Sequence, residues 1–247
     1  MSMHLLVRWF LRGSLLLMLA GWWQLDALPE PARLAPAIGQ QPVQESLTAP
    51  PFELSAGDIR YRLSPRYRYQ LNAVVVSLHH ADAWWDSAHE QWNDHINLLD
   101  LCVVWGGSAT SGAYRQVSFS NTQFECHWRW RGELPFDNAE AANTHLVTAD
   151  PAMGKRLKAL RVGDQISLTG MLVDYSTVKD GQVLGTRVSS AIRTDSGPGA
   201  CEVFYVEHAQ LLSRPNRRGL RLLQAGALLL LGSVLAWLAL PPRFNHQ

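Results

Sequence analysis

Two apolar segments, one near each end of the chain, enclose a polar stretch. The C-terminal segment, Leu222–Leu240, has nineteen residues and no charge. At about 1.5 Å per residue it is long enough to cross a hydrocarbon core of about 30 Å. Pro241 follows it and cannot continue a helix. We predict a transmembrane helix here, with small residues that let another helix approach closely: Gly226, Gly232, Ser233 and Ala236.

The N-terminal segment runs from Leu5 to Trp23. Arg8 and Arg12 precede its most apolar part, as in the charged and hydrophobic regions of a signal peptide. No small-x-small cleavage site follows directly, and a Trp-Trp pair at 22–23 is typical of an interfacial anchor. We therefore predict an uncleaved transmembrane signal anchor over residues 1–25, with a cleaved signal peptide as the alternative.

The arginines give conflicting indications of orientation. Arg8 and Arg12 favour a cytoplasmic N-terminus and an extracytoplasmic middle. Four arginines before the second segment favour the opposite arrangement: Arg214, Arg217, Arg218 and Arg221. Because the first segment usually dominates, we expect two spans and an extracytoplasmic middle domain, with these four arginines facing membrane lipid or a partner.

The stretch between the two apolar segments has a proline-rich part followed by a part of ordinary globular composition. Residues 26–51 contain six prolines and predict an extended tether. Residues 52–212 are enough for one globular domain, and residues 213–247 form a basic stretch, the second helix and a short tail. Residues 51–212 carry fourteen Lys and Arg against eighteen Asp and Glu, a net charge of −4. Nucleic-acid binding is therefore not expected, since it needs clustered cations.

The three cysteines are Cys102, Cys126 and Cys201. None forms a CxxC pair, so neither a zinc ribbon nor a thioredoxin-like motif is supported. Outside the cytoplasm, one disulfide and one free thiol would be the simplest arrangement. Three buried thiols are the alternative, and the sequence does not assign a pair.

The pattern of apolar residues predicts strands alternating with helices. We expect strands near 66–76, 99–105, 165–176, 185–195 and 201–212, one strand or hairpin over 117–130, an amphipathic helix over 84–96, and helical turns over 139–160. Within the last segment, Asp150 is a suitable N-cap because Pro151 follows it. The expected fold class is α+β: a small β-barrel or curved antiparallel sheet with two or three helices, flanked by the two transmembrane helices.

One segment of this pattern, GDQISLTGMLVDY (163–175), resembles the fourth strand of OB-fold barrels. Other segments resemble a group of bacterial membrane-anchored proteins without an established activity: DLCVVWG (100–106), FSNTQFEC (119–126), NTHLVTADP (143–151), GDQISLTG (163–170) and GACEVFYV (199–206). The second resemblance implies placement in the bacterial inner membrane. Together with the orientation expected from Arg8 and Arg12, this would make the middle domain periplasmic. This resemblance gives no indication of a catalytic activity.

Tryptophan is abundant in the middle domain and supplies the candidate binding surface. Large amphipathic rings of this kind are enriched at binding hot spots. The hypothesis is a groove for a partner or ligand, lined by Trp84, Trp85, Trp92, Trp128 and Trp130. A core with a rim resting on the membrane is the alternative interpretation.

Histidines and carboxylates provide the candidate chemistry. His145 with Asp150, or His79 with Asp82, could form an acid–base pair, and Asp86 and His89 share a helical face. Arg187 and Arg193 could bind an anion, or could pair across strands on an exposed face. No HExxH, GxSxG, GxGxxG or Walker A motif occurs, so we predict no metal site, cofactor or catalytic residue.

The leading hypothesis is a non-enzymatic, membrane-tethered binding or assembly module that contacts another envelope protein through its Trp-rich surface. The binding residues would include His145, Arg187 and Arg193 beside the tryptophans. The alternatives are a membrane-anchored hydrolase using His and Asp groups, and an OB-like domain that binds an oligosaccharide or an oligonucleotide.

Overall fold

The structure is a computed structural model, and it describes residues 3–195, 197, 199–214 and 217–240, without the side chain of residue 217. It divides into a helical unit, formed by the two ends of the chain, and a globular unit, residues 28–215. In chain order the helices and strands are α1 (Met3–Trp23), β1 (Val43–Ser46), β2 (Phe52–Ala56), β3 (Ile59–His80), α2 (Ser87–Gln91), β4 (Asn97–Val104), α3 (Gly106–Thr110), β5 (Ser118–Asn121), β6 (Cys126–Arg129), β7 (Ala141–Val147), α4 (Pro151–Lys158), β8 (Gln165–Lys179), β9 (Gln182–Arg187), β10 (Cys201–Ser213) and α5 (Arg217–Ala239).

The helical unit consists of α1 and α5, which pack against each other. Both are long and apolar enough to cross a membrane, so they fit the predicted two-span membrane protein. Glycines allow the close approach: a Cβ on Gly226 would lie 2.6 Å from Cγ of Met18, and one on Gly21 would lie 2.7 Å from the backbone nitrogen of Leu223. Small residues at helix contacts are typical of membrane pairs.

The globular unit is built on an eight-stranded sheet. Its longest strand, β3, pairs with β1, β2, β4 and β8. From β3 the pairings run through β4, β7, β10 and β8, and β8 pairs with β3 again. The predicted α+β class is confirmed. The sheet is mixed rather than antiparallel, because β7 and β10 pair in parallel.

Apolar side chains pack on both faces of β4, which explains its continuous apolar run. On one face, Leu99, Leu101 and Val103 join a core cluster with side chains of β3, β8 and β10. On the other face, Cys102 and Val104 join a second cluster with side chains from residues 105–141. The segment that follows β4 therefore folds back over the outer face of this strand.

Residues 26–51, predicted to be a tether, pack against the globular unit from residue 28 onward. Ile38 is fully buried in the second cluster. The backbone N–H of Ala35 donates to the Gln165 side chain over 2.6 Å, and β1 pairs with β3. Proline restricts helix formation in this segment but does not prevent a strand at the edge of a sheet.

Several predicted elements are confirmed and others are wrong. The strands β3, β4, β8 and β10 occur where the pattern predicted them, and Asp150 caps α4 by accepting from the Ala152 N–H. The helical interpretation of 141–147 is wrong: this segment is β7, bonded to β4 on one edge and β10 on the other. Such pairing on both edges outweighs the local helical preference. No strand forms over 188–195.

The predicted helix over 84–96 is only the five-residue α2. Asp86 caps it, and its side chain accepts from the N–H groups of Ala88 and His89. Asn93 has φ of 52°, in the left-handed region, so the chain leaves the helical path there. The connection from β3 to β4 is consequently mostly irregular.

Candidate functional site

A charged residue lies in the middle of the apolar strand β4. Asp100 is fully buried, and it stands directly opposite His145 of the neighbouring strand β7. Nδ1 of His145 lies 2.5 Å from Oδ1 of Asp100. A buried carboxylate is costly without partners, so the groups that contact Asp100 define the candidate site.

Further partners extend from Asp100 toward the surface. Nε2 of His89 lies 3.5 Å from Oδ2 of Asp100, and Nδ1 of His89 lies 2.5 Å from Oδ2 of Asp86. That same Asp86 oxygen lies 2.6 Å from Nε2 of His79. We call this alternating series the His–Asp cluster; its members are His79, Asp86, His89, Asp100 and His145.

The cluster ties the connection from β3 to β4 onto the sheet. His79 lies at the end of β3, Asp86 caps α2, and His89 lies within α2. The polar side chain of Asn97 donates to Asp100 over 2.7 Å. On the other side, the backbone N–H of Phe124 donates to the same carboxylate over 3.2 Å. The carboxylate of Asp100 is thus surrounded by donors.

Arg187 of β9 extends the network. Its Nη1 lies 3.1 Å from Nε2 of His145, and its Nη2 lies 3.5 Å from Oδ2 of Asp94. The guanidinium lies 4.3 Å from the ring centroid of Phe124, a cation–π contact. Tyr175 donates to Asp94 over 2.5 Å. Arg187 therefore links β9 to the connection between β3 and β4.

The charges in the cluster stabilise one another. Burial alone would raise the pKa of Asp100, but His145 and His89 outweigh it and hold that pKa well below its usual range. Burial alone would lower the pKa of His145, but Asp100 outweighs both burial and Arg187 and raises it to about 9. A general base works best with a pKa near the operating pH. The Asp100–His145 pair is therefore better suited to holding structure than to accepting protons.

His89 shows the same balance. Burial on its own would lower the pKa of this imidazole, but Asp100 and Asp86 together outweigh it, so the pKa lies above its usual value. For Asp86, burial raises the pKa, while hydrogen bonds from His79 and from the His89 backbone and side chain lower it overall. The shifts therefore favour the imidazolium form of His89 and the carboxylate form of Asp86.

A pocket of about 480 Å³ lies beside this network. Cys201 and Asn143 line it. Asn143 donates to the Phe124 carbonyl over 2.7 Å, and its Nδ2 lies 3.1 Å from Sγ of Cys201. Its Oδ1 is buried and has no hydrogen-bond partner among the described residues. This pocket therefore has the free thiol-bearing residue Cys201 in its lining.

Arg193 and Glu202 form a second part of the same pocket. Glu202 is buried and accepts hydrogen bonds from Tyr69 over 2.7 Å and from Thr144 over 2.9 Å. Burial raises the pKa of Glu202 above its usual value, although these partners oppose the shift. Arg193 donates to Tyr69 over 3.2 Å, and its guanidinium lies 5.5 Å from the Trp105 ring centroid.

The five predicted tryptophans occupy different environments. Trp84, Trp85 and Trp92 lie in the β3–β4 connection and are exposed by 90%, 62% and 69%. Trp128 lines the 480 Å³ pocket and donates to Asn138 over 2.8 Å. Trp130 packs against Phe136, with ring centroids 5.3 Å apart. Of the predicted binding residues, the structure brings His145 and Arg187 together, whereas Arg193 lies apart from them and lines the 480 Å³ pocket.

The predicted acid–base pairs are not formed. Asp150 caps α4, and Asp82 binds Lys158 over 2.5 Å. His145 and His79 instead pair with Asp100 and Asp86. No sequence motif marks Asp100. A single aspartate inside an apolar run is nevertheless a sign of a buried charge that needs a partner.

Two other predictions concern the cysteines and the arginines. Cys102 and Cys126 form a disulfide and Cys201 is free, as in one of the two alternatives. Arg214 binds Asp164 of its own unit over 2.8 Å, so this guanidinium is already engaged within the globular unit. Arg218 and Arg221 are exposed at the start of α5. The side chain of Arg217 lies outside the described part of the chain.

Comparison of the chain with protein-family models, with curated proteins and with solved structures finds no match. The function is therefore inferred from the geometry of the globular unit and from the two apolar helices.

Proposed function

We propose that this protein is a membrane-anchored binding module whose globular unit is a five-stranded OB-like barrel. The support is the circuit of pairings β3–β4–β7–β10–β8–β3. An OB-fold is a five-stranded Greek-key barrel, and its ligands lie against the second and third strands, between the loop joining strands one and two and the loop joining strands four and five. In this chain the corresponding connections are residues 81–96 and the segment between β8 and β10, which includes β9.

The proposed binding surface is the 81–96 connection with its three exposed tryptophans. This is the observation that carries the proposal. Trp84 and Trp85 contact each other edge to face, with ring centroids 5.5 Å apart. Trp92 contacts Phe124 in the same manner at 6.5 Å. Large rings exposed together on one connection are typical of a binding surface rather than of a core.

The His–Asp cluster supports this role because it holds the connection in place. Asp86 attaches α2 to His79 of β3, and His89 attaches it to Asp100 of β4. Asp94 accepts from Tyr175 and lies near Arg187. A loop that is ordered before binding loses less conformational entropy when the partner arrives. In this proposal, the buried charges preorganise the surface that the tryptophans present.

The proposed partner is another envelope protein, and the proposed location of the globular unit is the periplasm. The Cys102–Cys126 disulfide supports this compartment, since such bonds persist in oxidising surroundings. The net charge of −4 over 51–212 makes an oligonucleotide a poor ligand. An oligosaccharide, which stacks on tryptophan rings, is the second ligand class to test.

The test is site-specific photocrosslinking in intact cells. A photoreactive residue replaces Trp84, and a control replaces Val43, which is 51% exposed on β1 and outside both loops. We expect a defined crosslink to one envelope protein from position 84 and none from position 43, and Trp85→Ala should weaken it. The same products from both positions, or none from position 84, would contradict the proposed surface.

Fluorescence titration separates the two ligand classes. Purified protein is titrated with soluble glycan fragments while tryptophan emission is recorded, with Trp84→Ala and Trp130→Phe as the test and control variants. If the glycan quenches the emission saturably, if Trp84→Ala removes this quenching and if no protein crosslink forms, the ligand is a sugar and not a protein.

A further inference from the structure

Three side chains at the outer end of the His–Asp cluster converge on one point. We infer that His79, Asp86 and His89 form a binding site for a divalent transition-metal ion, with Zn²⁺ as the best-matched ion. One ligand atom from each residue lies within 4.8 Å of the other two. The inference does not depend on the nature of the binding partner.

The two imidazoles share a single carboxylate oxygen. Oδ2 of Asp86 lies 2.6 Å from Nε2 of His79 and 2.5 Å from Nδ1 of His89. Without an ion, each nitrogen must carry a proton to make these contacts. A cation can replace both protons and be held by the same three atoms, because metal binding to histidine proceeds by proton release.

The surrounding groups orient the ligands. Oδ1 of Asp86 accepts from the N–H groups of Ala88 and His89, so Oδ2 remains for the ion. Nε2 of His89 lies 3.5 Å from Asp100 and 3.0 Å from the Asn97 amide. Metal-binding histidines usually have a carboxylate or another polar partner on the second nitrogen, which fixes the ring.

The donor set selects the kind of ion. Two imidazole nitrogens and one carboxylate suit Zn²⁺ and similar ions, whereas Ca²⁺ and Mg²⁺ take oxygen ligands. Asp86 and His89 also line a second pocket of about 470 Å³. This leaves space for a further ligand, such as water. An ion here would join the end of β3 to α2 and so fasten the tryptophan-bearing connection.

The test is calorimetric titration of Zn²⁺ into the full chain, purified in detergent without a polyhistidine tag and stripped with chelator. We expect one ion per chain in the wild type. His79→Ala should weaken binding by at least about a hundredfold, since loss of a ligand exceeds the loss of an outer partner. His127→Ala removes an exposed imidazole and should bind like the wild type.

A second measurement keeps the result interpretable if His79→Ala unfolds. Asp86→Asn retains an oxygen that can cap α2 but replaces the charged ligand. Near-UV circular dichroism checks each fold, and Zn²⁺ should raise the thermal midpoint of the wild type but not of folded Asp86→Asn. Equal Zn²⁺ affinity in wild type and folded variants, or binding of Mg²⁺ as tight as that of Zn²⁺, would overturn the inference.

Discussion

At the scale of single residues, the buried charge of Asp100 accounts for the polar groups that surround it. Its carboxylate lies in an apolar strand, and two imidazoles, an amide and a backbone N–H contact it. Removing one partner of such a buried pair leaves an uncompensated charge, which is far more costly than losing a surface pair. We therefore expect the network to be sensitive to pH, above all at His145.

Stability should fall as the pH rises through about 9. The pKa of His145 is about 9 in the folded protein against an ordinary value of 6.5. A raised pKa gives stabilisation that is complete below about pH 6.5 and is lost as the folded group deprotonates. We expect the unfolding midpoint to decrease from pH 6.5 to pH 9.5, and this slope to be smaller in His145→Gln.

The matched control for this titration is His127→Gln, because its side chain is 55% exposed. Thermal unfolding is followed at several pH values in each variant. A slope in His145→Gln equal to that in the wild type and control would show that another group is responsible.

At the scale of elements, the prediction of strands succeeded where apolar alternation was long, and failed where pairing decided the outcome. β8 and β10 were predicted directly, whereas β7 was taken for helical turns. The candidate site depended on that element, because it places His145 opposite Asp100. Partners 45 residues apart cannot be paired by spacing alone, so the wrong acid–base pairs were predicted.

The Cys102–Cys126 disulfide fastens the β5–β6 hairpin to β4. It closes a loop with a sequence separation of 24, which in the chain-entropy account corresponds to about 3.5 kcal/mol. We expect the double variant Cys102→Ala/Cys126→Ala to lose roughly this free energy of unfolding, measured with denaturant. Cys201→Ser, which removes the free thiol, serves as the control. An unchanged midpoint in the double variant would count against the disulfide.

The pairing of α1 with α5 should depend on glycine at one position and not at another. A Cβ on Gly226 would lie 2.9 Å from the Ser14 carbonyl oxygen, whereas one on Gly232 would meet nothing within 4 Å. We expect Gly226→Val to lower the thermal midpoint in detergent and Gly232→Val to leave it nearly unchanged. Equal effects of the two variants would argue against this packing.

At the scale of the whole molecule, both ends of the chain form long apolar helices, and the polar residues between them form one globular unit. The compartment matters for the proposed function, because disulfides persist in oxidising surroundings and the proposed partner would meet the globular unit in the periplasm.

Reporter fusions test the orientation. Alkaline phosphatase, which is active only in the periplasm, is fused after Leu212 in one strain and after Gln247 in another. We expect activity from the first and none from the second, as the first span and its arginines indicate. The reverse pattern would mean that the arginines before α5 set the orientation, and the periplasmic partner would then be wrong.

The sequence by itself determined the two apolar helices, the α+β class and the main strands, because these depend on local hydrophobicity and its period. It also indicated His145 and Arg187, but not their partners. Only the tertiary structure decided that Asp100 pairs with His145, that Cys102 pairs with Cys126, and that residues 28–51 belong to the globular unit. These contacts join segments far apart in the chain, so their formation depends on the register of paired strands, which no local pattern specifies.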